Sequence, residues 1–444
     1  MARKSAQKPA QFDIVIAGGG LVGASLAVAL RGSGLTVAVV EPVAAQAEQQ
    51  PSFDDRHSAL APTSRRFFQN LGLWPAIEPG VAPIHQIHVS DRGHAGFSRL
   101  SAEQEGLAAL GHVAPNRVLG AALRPAMAEA ATLYCPARII HTQPLYNGAD
   151  APAGAAGDAA SAPLAARQVR LETDAGEQTL TARLLVVADG MRSATREALG
   201  IDTDERDYAQ SAVIANLRTE LGHGGVAYER FTPEGPIAML PAVDEAVSLV
   251  WVLPHERAEA AANAWSGADF RARLQQAFGW RLGRIEAVGE RQVYPLAAVS
   301  AARFATERAV ILGNAAHALH PVAGQGLNLA LRDVAALAEC LGAPAAAGSA
   351  PANAAAGRAA ATAPADPGEA GRLAAYARAR RSDYRRTFAF TDGLVRLFSN
   401  EFAPLVAARN IGLTALDLLA PARRVLLKQA TGAAGDVPAL CRDD

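Results

Sequence analysis

Hydrophobic positions near the start of the chain form two continuous runs with a helical segment between them. Residues 12–20 are apolar up to a glycine turn, residues 21–34 have the spacing of a helix closed by glycines, and residues 35–42 form a second apolar run. Short continuous apolar runs bounded by turns are typical of buried strands. The pattern therefore predicts a β-α-β unit.

A different pattern, with apolar and polar positions in alternation, follows further along the chain. Residues 169–173 and 178–187 flank an Asp-Ala-Gly turn and predict a hairpin. Residues from about 209 to 255 alternate as in a half-buried antiparallel sheet, with turns at residues 233–235 and near Asp244. The chain thus combines a parallel β-α-β part with an antiparallel part.

The last third returns to helical spacing. Residues 308–341 read as a strand followed by a helix, and residues 373–427 as mostly helical, interrupted near Pro404 and Pro421. Two segments, 147–166 and 342–371, are rich in Ala, Gly and Pro and contain few large apolar residues. We predict that these two are mobile surface loops that carry no chemistry.

Composition narrows the class of protein. The chain has 444 residues, half of them hydrophobic, which is enough for a large core. Its net charge of −1 gives no electrostatic reason to expect nucleic acid. Three scattered cysteines show neither metal-ligand spacing nor a disulfide framework, as expected for a cytoplasmic protein. The apolar run at 14–30 contains four glycines and is interpreted as strand, turn and helix, so we predict a soluble protein with at most a surface attachment.

The first turn carries the pattern Gly18-x-Gly20-x-x-Gly23, and Glu41 ends the next apolar run. Gly18 permits a tight turn, Gly20 lets a pyrophosphate approach the backbone, and Gly23 lets helix and strand pack closely. The helix N-terminus offers free N–H groups to the phosphates, and an acid at the second strand end can accept hydrogen bonds from a ribose. Together these features predict a dinucleotide site, with FAD and NAD both compatible.

Two later strand ends carry further motifs. The buried run 184–188 ends in Asp189-Gly190, followed by Ser193 and Arg196. The run 309–312 ends in Gly313-Asn314, and the sequence His-Pro-x-x-Gly-Gln-Gly-x-Asn-Leu follows at 320–329 before a helix. A glycine-rich strand-to-helix turn usually holds phosphate, but this one lacks the lysine of a P-loop.

The three ordered motifs resemble the flavin fingerprints of aromatic-ring hydroxylases, the single-component flavoprotein monooxygenases of the p-hydroxybenzoate hydroxylase type. The segments at 55–60, 116–119 and 320–329 are similar to the ubiquinone-biosynthesis hydroxylases. Gly313-Asn314-Ala-Ala and the segment 229–236 look most like the 2-polyprenyl-6-methoxyphenol hydroxylase branch. The family usually has Asp where this chain has Asn314; Asn keeps an acceptor oxygen but loses the charge.

The resemblance implies FAD as a held cofactor and NAD(P)H as a transient co-substrate without a β-α-β domain of its own. It also implies that NAD(P)H reduces the flavin and that O₂ then forms a C4a-hydroperoxide, which hydroxylates a phenol. The glycines would meet the pyrophosphate, Glu41 the adenosine ribose, and backbone N–H groups after Gly324 the charge of the reduced ring. The predicted cofactor-binding residues are Gly18, Gly20, Gly23, Glu41, Arg56, Arg117, Asp189, Gly190, Asn314, Pro321, Gly324, Gly326 and Asn328.

The sequence assigns no catalytic side chain, because the chemistry of such enzymes belongs to the cofactor. The partner of the phenol is expected in the sheet at 209–255, and Tyr228 and His320 are the candidates, although packing roles suit both. His317 and His320 have the spacing of a metal pair on a helix, but Pro321 breaks that helix and no third ligand lies near in sequence. We predict no metal.

The predicted fold is α/β. A discontinuous Rossmann-like FAD-binding domain comprises 11–75, 105–200 and 291–341, an antiparallel-sheet substrate domain comprises 76–104 and 201–290, and a helical C-terminal region comprises 373–435. Apolar residues between 402 and 419 lie close to Arg423, Arg424 and Lys428, a composition suited to a membrane surface, a biosynthetic complex or packing against the FAD domain.

The expected function is therefore hydroxylation of a polyprenylated phenol in ubiquinone biosynthesis, with O₂ and the prenylated phenol as partners. The expected location is the cytoplasm, with peripheral attachment at the inner face of the membrane as an option. Three alternatives stay open: a hydroxylase of a small soluble phenol, a flavin-dependent oxidoreductase without oxygen insertion of the geranylgeranyl-reductase type, and a non-catalytic FAD-binding assembly component.

Overall fold

The computed structural model describes residues 9–44, 54–146, 164–345, 365–398 and 402–443. Its strands, numbered in chain order, are β1 Ala10–Ala17, β2 Val37–Val40, β3 His57–Leu60, β4 Ala82–Ile84, β5 Gln86–Asp91, β6 Phe97–Ser101, β7 Gly111–Pro115, β8 Thr132–Tyr134, β9 Ala137–Tyr146, β10 Leu164–Thr173, β11 Gly176–Val187, β12 Thr203–Thr219, β13 Val226–Phe231, β14 Ile237–Pro241, β15 Val247–Pro254, β16 Ile285–Val288, β17 Gln292–Ala301, β18 Ala305–Thr306, β19 Ala309–Ile311 and β20 His317–Ala318.

The α-helices are numbered in the same way. They are α1 Leu21–Ala29, α2 Pro62–Asn70, α3 Trp74–Ile77, α4 Asn116–Ala130, α5 Ala194–Ala198, α6 His255–Glu259, α7 Gly267–Phe278, α8 Gln325–Cys340, α9 Ala370–Phe398, α10 Ala403–Leu418 and α11 Ala420–Ala430.

The first sheet has the strand order β18-β19-β11-β1-β2-β8, and its pairs from β19 to β8 are parallel. β2 and the last four residues of β1 and β11 are fully buried, which explains their unbroken apolar sequence. Helices α1 and α8 contribute to the same core. The predicted β-α-β unit and the Rossmann-like architecture are confirmed.

The predicted hairpin is also confirmed: β10 and β11 pair antiparallel around the Thr173–Gly176 turn, and β9 extends this pair. β11 therefore belongs to two arrangements at once. Its first half pairs with β10, and its second half lies between β1 and β19 in the parallel sheet. The strand end that carries Asp189 is thus fixed from both sides.

The second sheet is mostly antiparallel, with the order β20-β17-β12-β15-β14-β13-β5-β6 and β16 paired to β12. One face of it packs on α7 through a core that includes Trp251, Phe270 and Phe278. β13 and β5 form its parallel pair. The antiparallel region predicted at 209–255 is present, with its turns as expected.

Two segments lie differently from the predicted domain boundaries. Gln292–Ala301 was expected with the FAD-binding domain, but it pairs antiparallel with β12 in the second sheet at ten positions. His57–Leu60, Gly111–Pro115 and Ala82–Ile84 form a separate small antiparallel sheet. The division of the chain into domains otherwise remains our prediction.

The C-terminal region is helical, as predicted, with Pro404 and Pro421 each at the start of a helix. Most of the two predicted loops lies outside the described residues, at 147–163 and 346–364. The described parts at their ends include Leu164–Ala166, which begins β10, and Ala370, which begins α9.

In the described part of the chain, no single helix is long and apolar enough to cross a membrane. Helices α10 and α11 reach the required length and composition only as a pair, and their axes are bent by 98°.

Candidate functional site

Four strand ends meet at one edge of the parallel sheet. Ala17 of β1 is in register with Val40 of β2 and Val187 of β11, and Val187 is in register with Ile311 of β19. The turns that follow these residues therefore leave the sheet side by side. This edge, at the carboxyl ends of parallel strands, is where open α/β sheets bind ligands.

The first turn has no room for side chains. Gly18 has φ +97°, and a Cβ there would lie 2.6 Å from the Ala188 carbonyl oxygen. A Cβ on Gly23 would lie 1.9 Å from the Gly18 carbonyl oxygen. Gly20 precedes the first residue of α1, so the free N–H groups of the helix start at the turn. This geometry is compatible with a pyrophosphate cradle, and contact of these residues with a pyrophosphate stays a prediction.

Glu41 stands beside this turn. Its carboxylate accepts a hydrogen bond from the Gly19 N–H at 2.7 Å and another from the Val43 N–H at 2.9 Å. It also lines a cavity of about 390 Å³ with Gly19, Met127 and Cys135. Each carboxylate oxygen has a second acceptor position, so the side chain can still accept from a ribose hydroxyl in that cavity.

The second turn packs directly on the first, since a Cβ on Gly18 would lie 2.9 Å from Asp189 Cα. Asp189 Oδ2 accepts from the Thr195 N–H at 3.4 Å, whereas its buried Oδ1 has no hydrogen-bond partner among the described residues. Gly190 follows with φ +93°. An orphaned carboxylate oxygen at the edge of the sheet is a site for a donor on a ligand.

Arg196 joins the second turn to the third. Its guanidinium donates to the carbonyl oxygens of Met191 at 3.0 Å and Ala315 at 3.2 Å. Ser193 caps the same short helix by accepting from the Arg196 N–H at 2.9 Å. Ser193 and Arg196, which match the family motif, therefore stabilise the turns themselves.

The third turn lies over the start of α1. Gly313 has φ +59°, and a Cβ there would lie 3.1 Å from a methyl group of Val22. Its N–H donates to Asp333 Oδ2 at 3.1 Å. Asn314 is exposed between buried neighbours, and its side chain makes no hydrogen bond within the described residues. The amide is thus available to a ligand that lies along the sheet edge.

The segment after His320 ends in the N-terminus of α8. Gly324 has φ +59° and packs on Ala59 with 3.0 Å from its Cβ position to the Ala59 methyl, whereas a Cβ on Gly326 would meet nothing within 4 Å. Pro321 is partly exposed. The open space at Gly326 fits the predicted approach of a ring to the backbone.

Asn328 has a different role from the one predicted. Its Oδ1 accepts from the Ala61 N–H at 2.8 Å and from the Ser64 hydroxyl at 2.7 Å. Its Nδ2 donates to the carbonyl oxygens of Ala59 at 2.8 Å and Gly324 at 2.7 Å. These four bonds use the full capacity of the amide. Asn328 therefore positions the start of α8, and it has no bond left for a cofactor.

Arg56 and Arg117 both form ion pairs with the chain that precedes β3. Arg56 Nε lies 2.5 Å from Asp54 Oδ2, and its guanidinium lies 4.8 Å from the centre of the Tyr294 ring. Arg117 Nε lies 2.7 Å from Asp55 Oδ1. Arg117 lines a cavity of about 430 Å³ with residues of β12. Contact of either arginine with the cofactor stays a prediction.

The fit to FAD can be judged from these residues. In the first turn, a Cβ on Gly18 or Gly23 would collide with the backbone. Among the described residues, Asp189 Oδ1 has no hydrogen-bond partner and the Asn314 side chain makes no hydrogen bond. Helices α1 and α8 both begin with free N–H groups at this edge. Gly18, Gly20, Gly23, Glu41, Asp189, Asn314 and the N-terminus of α8 would hold the cofactor. When bound, FAD supplies the redox chemistry and the activation of O₂.

A large apolar cavity of about 590 Å³ begins at the same end of α8. Its wall includes Ala61, Val322 and Gln325 near the turns, and it continues along β5 and β13 to helices α10 and α11. Its polar lining residues are few. Glu229 of β13 and Ser98 of β6 lie on the sheet wall, and the others are Arg409, Gln325, Asn328 and Thr431. The size and character of this cavity are typical of a site for an apolar ligand.

The two predicted phenol partners lie elsewhere. Tyr228 packs its ring on His88 and on Phe278 of α7, on the face of the sheet opposite the cavity. His320 is buried, and the centres of its ring and the Tyr208 ring lie 5.1 Å apart in an edge-to-face arrangement. Burial lowers the pKa of His320 to about 4. Glu229 was not predicted as a site residue from the sequence. It shares a strand face with Ala227 and Phe231. The period-2 pattern of that strand is the signal that places it on the cavity side.

His317 belongs to a buried ion network. Its Nε2 lies 2.5 Å from Asp333 Oδ2. Among the residues that the structure describes, no group of three or more His, Cys, Asp or Glu side chains could hold a metal ion.

Comparison with known proteins agrees with this geometry. A family model described as FAD binding domain matches residues 11–355. Ubiquinone hydroxylase UbiL of Rhodospirillum rubrum is 37% identical over 424 residues, which cover 95% of this chain and 89% of that protein. The 3-demethoxyubiquinol 3-hydroxylase of Escherichia coli is 31% identical over 433 residues, covering 95% and 98% of the two chains.

The fold also matches solved structures. The p-nitrophenol 4-monooxygenase PnpA from Pseudomonas putida superposes with a TM-score of 0.72 at 17% identity, over 96% of this chain and 99% of that one. At this level of identity the likeness concerns the fold alone.

Proposed function

Because this chain belongs to the FAD binding domain family of FAD-dependent monooxygenases, we propose that it hydroxylates the aromatic ring of a polyprenylated phenol in ubiquinone biosynthesis. The relatives named for ubiquinone hydroxylation extend along nearly the whole chain. The observation that carries the proposal is the apolar cavity that connects the start of α8 with the C-terminal helices. A 2-polyprenyl-6-methoxyphenol is the substrate type that we favour.

The cavity suits a substrate with a small polar head and a long apolar tail. Apolar side chains of α9, α10 and α11 (Leu394, Leu397, Leu413, Leu416 and Leu426) line the part that is remote from the turns. Burial of each methylene of a tail contributes about 0.8 kcal/mol. When bound, FAD would supply the O₂ chemistry of ring hydroxylation, with NAD(P)H as the reductant.

A substitution at Gly412 tests whether the cavity holds the apolar tail of the substrate. Gly412 lines the cavity, and a Cβ there would meet nothing within 4 Å. Gly412→Phe should fill the tail region and lower kcat/KM for 2-geranyl-6-methoxyphenol by about tenfold or more, because its tail loses room, while turnover of 2-methoxyphenol changes little. Gly393→Phe, on an exposed position of α9, is the matched control.

Equal loss with both phenols would show that Gly412→Phe damages the enzyme generally. An absence of turnover of any phenol by the unmodified enzyme, loaded with FAD, would contradict the proposed function. Turnover of 2-methoxyphenol without any preference for the prenylated compound would favour a small soluble phenol as substrate.

We also propose that α10 and α11 attach the enzyme to the inner face of a membrane. Ile411, Leu418, Leu419 and Val425 are 55–74% exposed there, and Arg424, the neighbour of Val425 in α11, has 71% of its side chain exposed. Leu416 of the same helix lines the cavity, so this surface adjoins the route that a lipid-borne tail would take. Apolar side chains with adjacent cations are the composition of interfacial helices.

Vesicle binding tests the attachment. The protein should co-sediment with vesicles of phosphatidylglycerol and phosphatidylethanolamine, and Leu418→Asp with Val425→Asp should abolish this binding. Leu221→Asp, at an apolar residue 53% exposed in the connection between β12 and β13, should leave it unchanged. Binding that survives the double substitution would contradict this proposal, and the hydroxylase proposal would stand.

A further inference from the structure

Glu229 stands in the middle of the sheet wall of the apolar cavity. In the second sheet it is paired with Val89 of β5, and Val89 is paired in turn with Ser98 of β6. All three residues line the cavity, so they form one row across three strands. The neighbours of Glu229 in its own strand, Tyr228 and Arg230, point to the other face, where Arg230 Nε donates to the Ala277 carbonyl oxygen.

The Glu229 carboxyl has no hydrogen bond or ion pair within the described residues. Its remaining exposed surface faces the cavity, and burial raises its pKa to about 7. The other charged group on the cavity wall is Arg409, and Arg409 Nε lies 2.8 Å from Asp91 Oδ2. His88, beside Val89 on β5, stacks on Phe97 on the opposite face. A lone acid in an apolar wall is costly unless a ligand supplies its partner.

Two more polar atoms in the cavity lack partners. Among the residues that the structure describes, the buried Ser98 hydroxyl has no hydrogen-bond partner, nor has Gln325 Oε1, although Gln325 Nε2 donates to the Ala323 and Ala430 carbonyl oxygens. Gln325 is the first residue of α8, so these groups extend from the cofactor end of the cavity to its sheet wall. Buried polar atoms are normally paired, and an occupant with oxygen functions on an apolar frame would satisfy them.

We propose that Glu229 is the substrate-binding and catalytic base of this enzyme: its carboxylate accepts the hydrogen bond, and then the proton, of the substrate's phenol hydroxyl. This rests on the proposed function, because it assigns the phenol head to the cavity. Ser98 would complete the row by binding the neighbouring ring oxygen.

The phenol proton is exchanged between the substrate and Glu229, and the ring C–H proton is lost to solvent. As the ring carbon forms its bond to the transferred oxygen atom, the phenol O–H bond breaks, its electron pair makes a C=O bond, and its proton passes to the Glu229 carboxylate. When the hydroxylated carbon then loses its C–H proton to solvent, that electron pair restores the aromatic ring, and the phenol oxygen takes its proton back from Glu229. The ring is oxidised by one oxygen atom of O₂, and NAD(P)H provides the two electrons that reduce the other to water.

The test compares the FAD-loaded enzyme with Glu229→Gln, which keeps shape and an acceptor but takes no proton, and with Glu229→Asp, which keeps the acid. Glu256→Gln, on an exposed position of α6, is the matched control. The probes are 2-geranyl-6-methoxyphenol and its methyl ether, which has no phenol proton. Binding of both probes is measured by equilibrium titration, and kcat for the phenol is measured across pH 5–9.

We expect Glu229→Gln to lower kcat by about a hundredfold or more and Glu229→Asp to lower it less, since loss of a positioned base typically has that effect. The wild-type profile should rise with pH through neutrality, and Glu229→Gln should lose this rise. The wild type should also bind the phenol about tenfold more tightly than the ether, a preference that Glu229→Gln removes.

Unchanged kcat and an unchanged pH profile in Glu229→Gln would overturn the assignment. Equal weakening of phenol and ether binding would overturn it too, because that result indicates a purely structural role. If the wild type turns over no phenol, the proposed function fails, and the phenol–ether comparison in the binding experiment still decides whether Glu229 contacts a phenol hydroxyl.

Discussion

Asp333 Oδ1 lies 2.6 Å from Arg380 Nε, and both side chains are almost completely buried. The other oxygen of the same carboxylate accepts the Gly313 N–H and lies 2.5 Å from His317 Nε2. One carboxylate thus ties the turn that carries Asn314 to helix α9. Burial alone would raise the pKa of Asp333, but His317 and Arg380 outweigh it and lower this pKa to about 2.

We predict that Asp333→Asn destabilises the protein by about 3–5 kcal/mol, because it removes one of the two buried carboxylates that pair with Arg380. Urea unfolding at pH 7 measures the change. Asp443→Asn is the control: Asp443 pairs with Arg66 at the surface with 72% of its side chain exposed, so its loss should change stability by less than about 1 kcal/mol. Similar values for the two variants would contradict the structural importance of the buried pair.

Gly23→Ala should yield protein without bound flavin. The added methyl would lie 1.9 Å from the Gly18 carbonyl oxygen, so the first turn must move away from α1 and lose its cradle. The ratio of flavin to protein absorbance after purification measures this. Gly393→Ala, in the middle of α9 with open space around it, should keep its flavin and gain about 0.5–1 kcal/mol of stability. A yellow Gly23→Ala protein would show that the turn does not bind the cofactor.

Asn314→Ala should weaken FAD binding by about tenfold without altering the stability of the apoprotein, because its exposed amide has no protein partner within the described residues. Titration of the apoprotein with FAD and thermal unfolding without FAD measure the two quantities. Asn314→Asp, which restores the residue usual in the family, should bind FAD at least as well as the wild type. Loss of stability in the Asn314→Ala apoprotein would indicate a structural role instead.

Glu229→Gln should make the protein more stable than the wild type at pH 8 but not at pH 4. The native pKa of Glu229 is raised by burial from its usual 4.5 to about 7. Below pH 4.5 the carboxyl is protonated in both native and unfolded chains, and as pH rises through 7 the native state must ionise it at a cost that the variant avoids. The difference reaches at most about 3 kcal/mol. Urea unfolding of both proteins from pH 4 to 8 measures it, and a pH-independent difference would contradict the burial of this acid.

The edge of the parallel sheet that carries the three motifs could be predicted from the sequence, because each motif is a local pattern. Gly18, Gly20 and Gly23 lie within six residues, and each motif directly follows an apolar strand, so order along the chain is enough to place them on one sheet edge. The orientation of Asn328 was not accessible in this way. Three of its four hydrogen bonds reach residues 264 to 269 positions earlier in the chain, and only the folded structure brings these groups together.

The sheet wall of the apolar cavity was harder to predict from the sequence for a related reason. Glu229 lies in the polar sequence Tyr-Glu-Arg, which resembles a solvated strand, and its burial depends on α10 and α11 covering that face of the sheet. Tyr228, the more conspicuous candidate, is one position away and therefore on the opposite face. Likewise, the pairing of Gln292–Ala301 with β12 joins residues 78 to 98 positions apart, and no local sequence pattern indicates it.

Hydroxylation of a prenylated phenol is tested most directly by mass spectrometry of the product. The FAD-loaded enzyme is incubated with NADH or NADPH, 2-geranyl-6-methoxyphenol and isotopically labelled O₂, with a parallel reaction in labelled water. The account predicts a product that is heavier by one oxygen atom, which carries the label from O₂ and none from water. Oxidation of the nicotinamide with no oxygenated product, or a product whose oxygen comes from water, would contradict it.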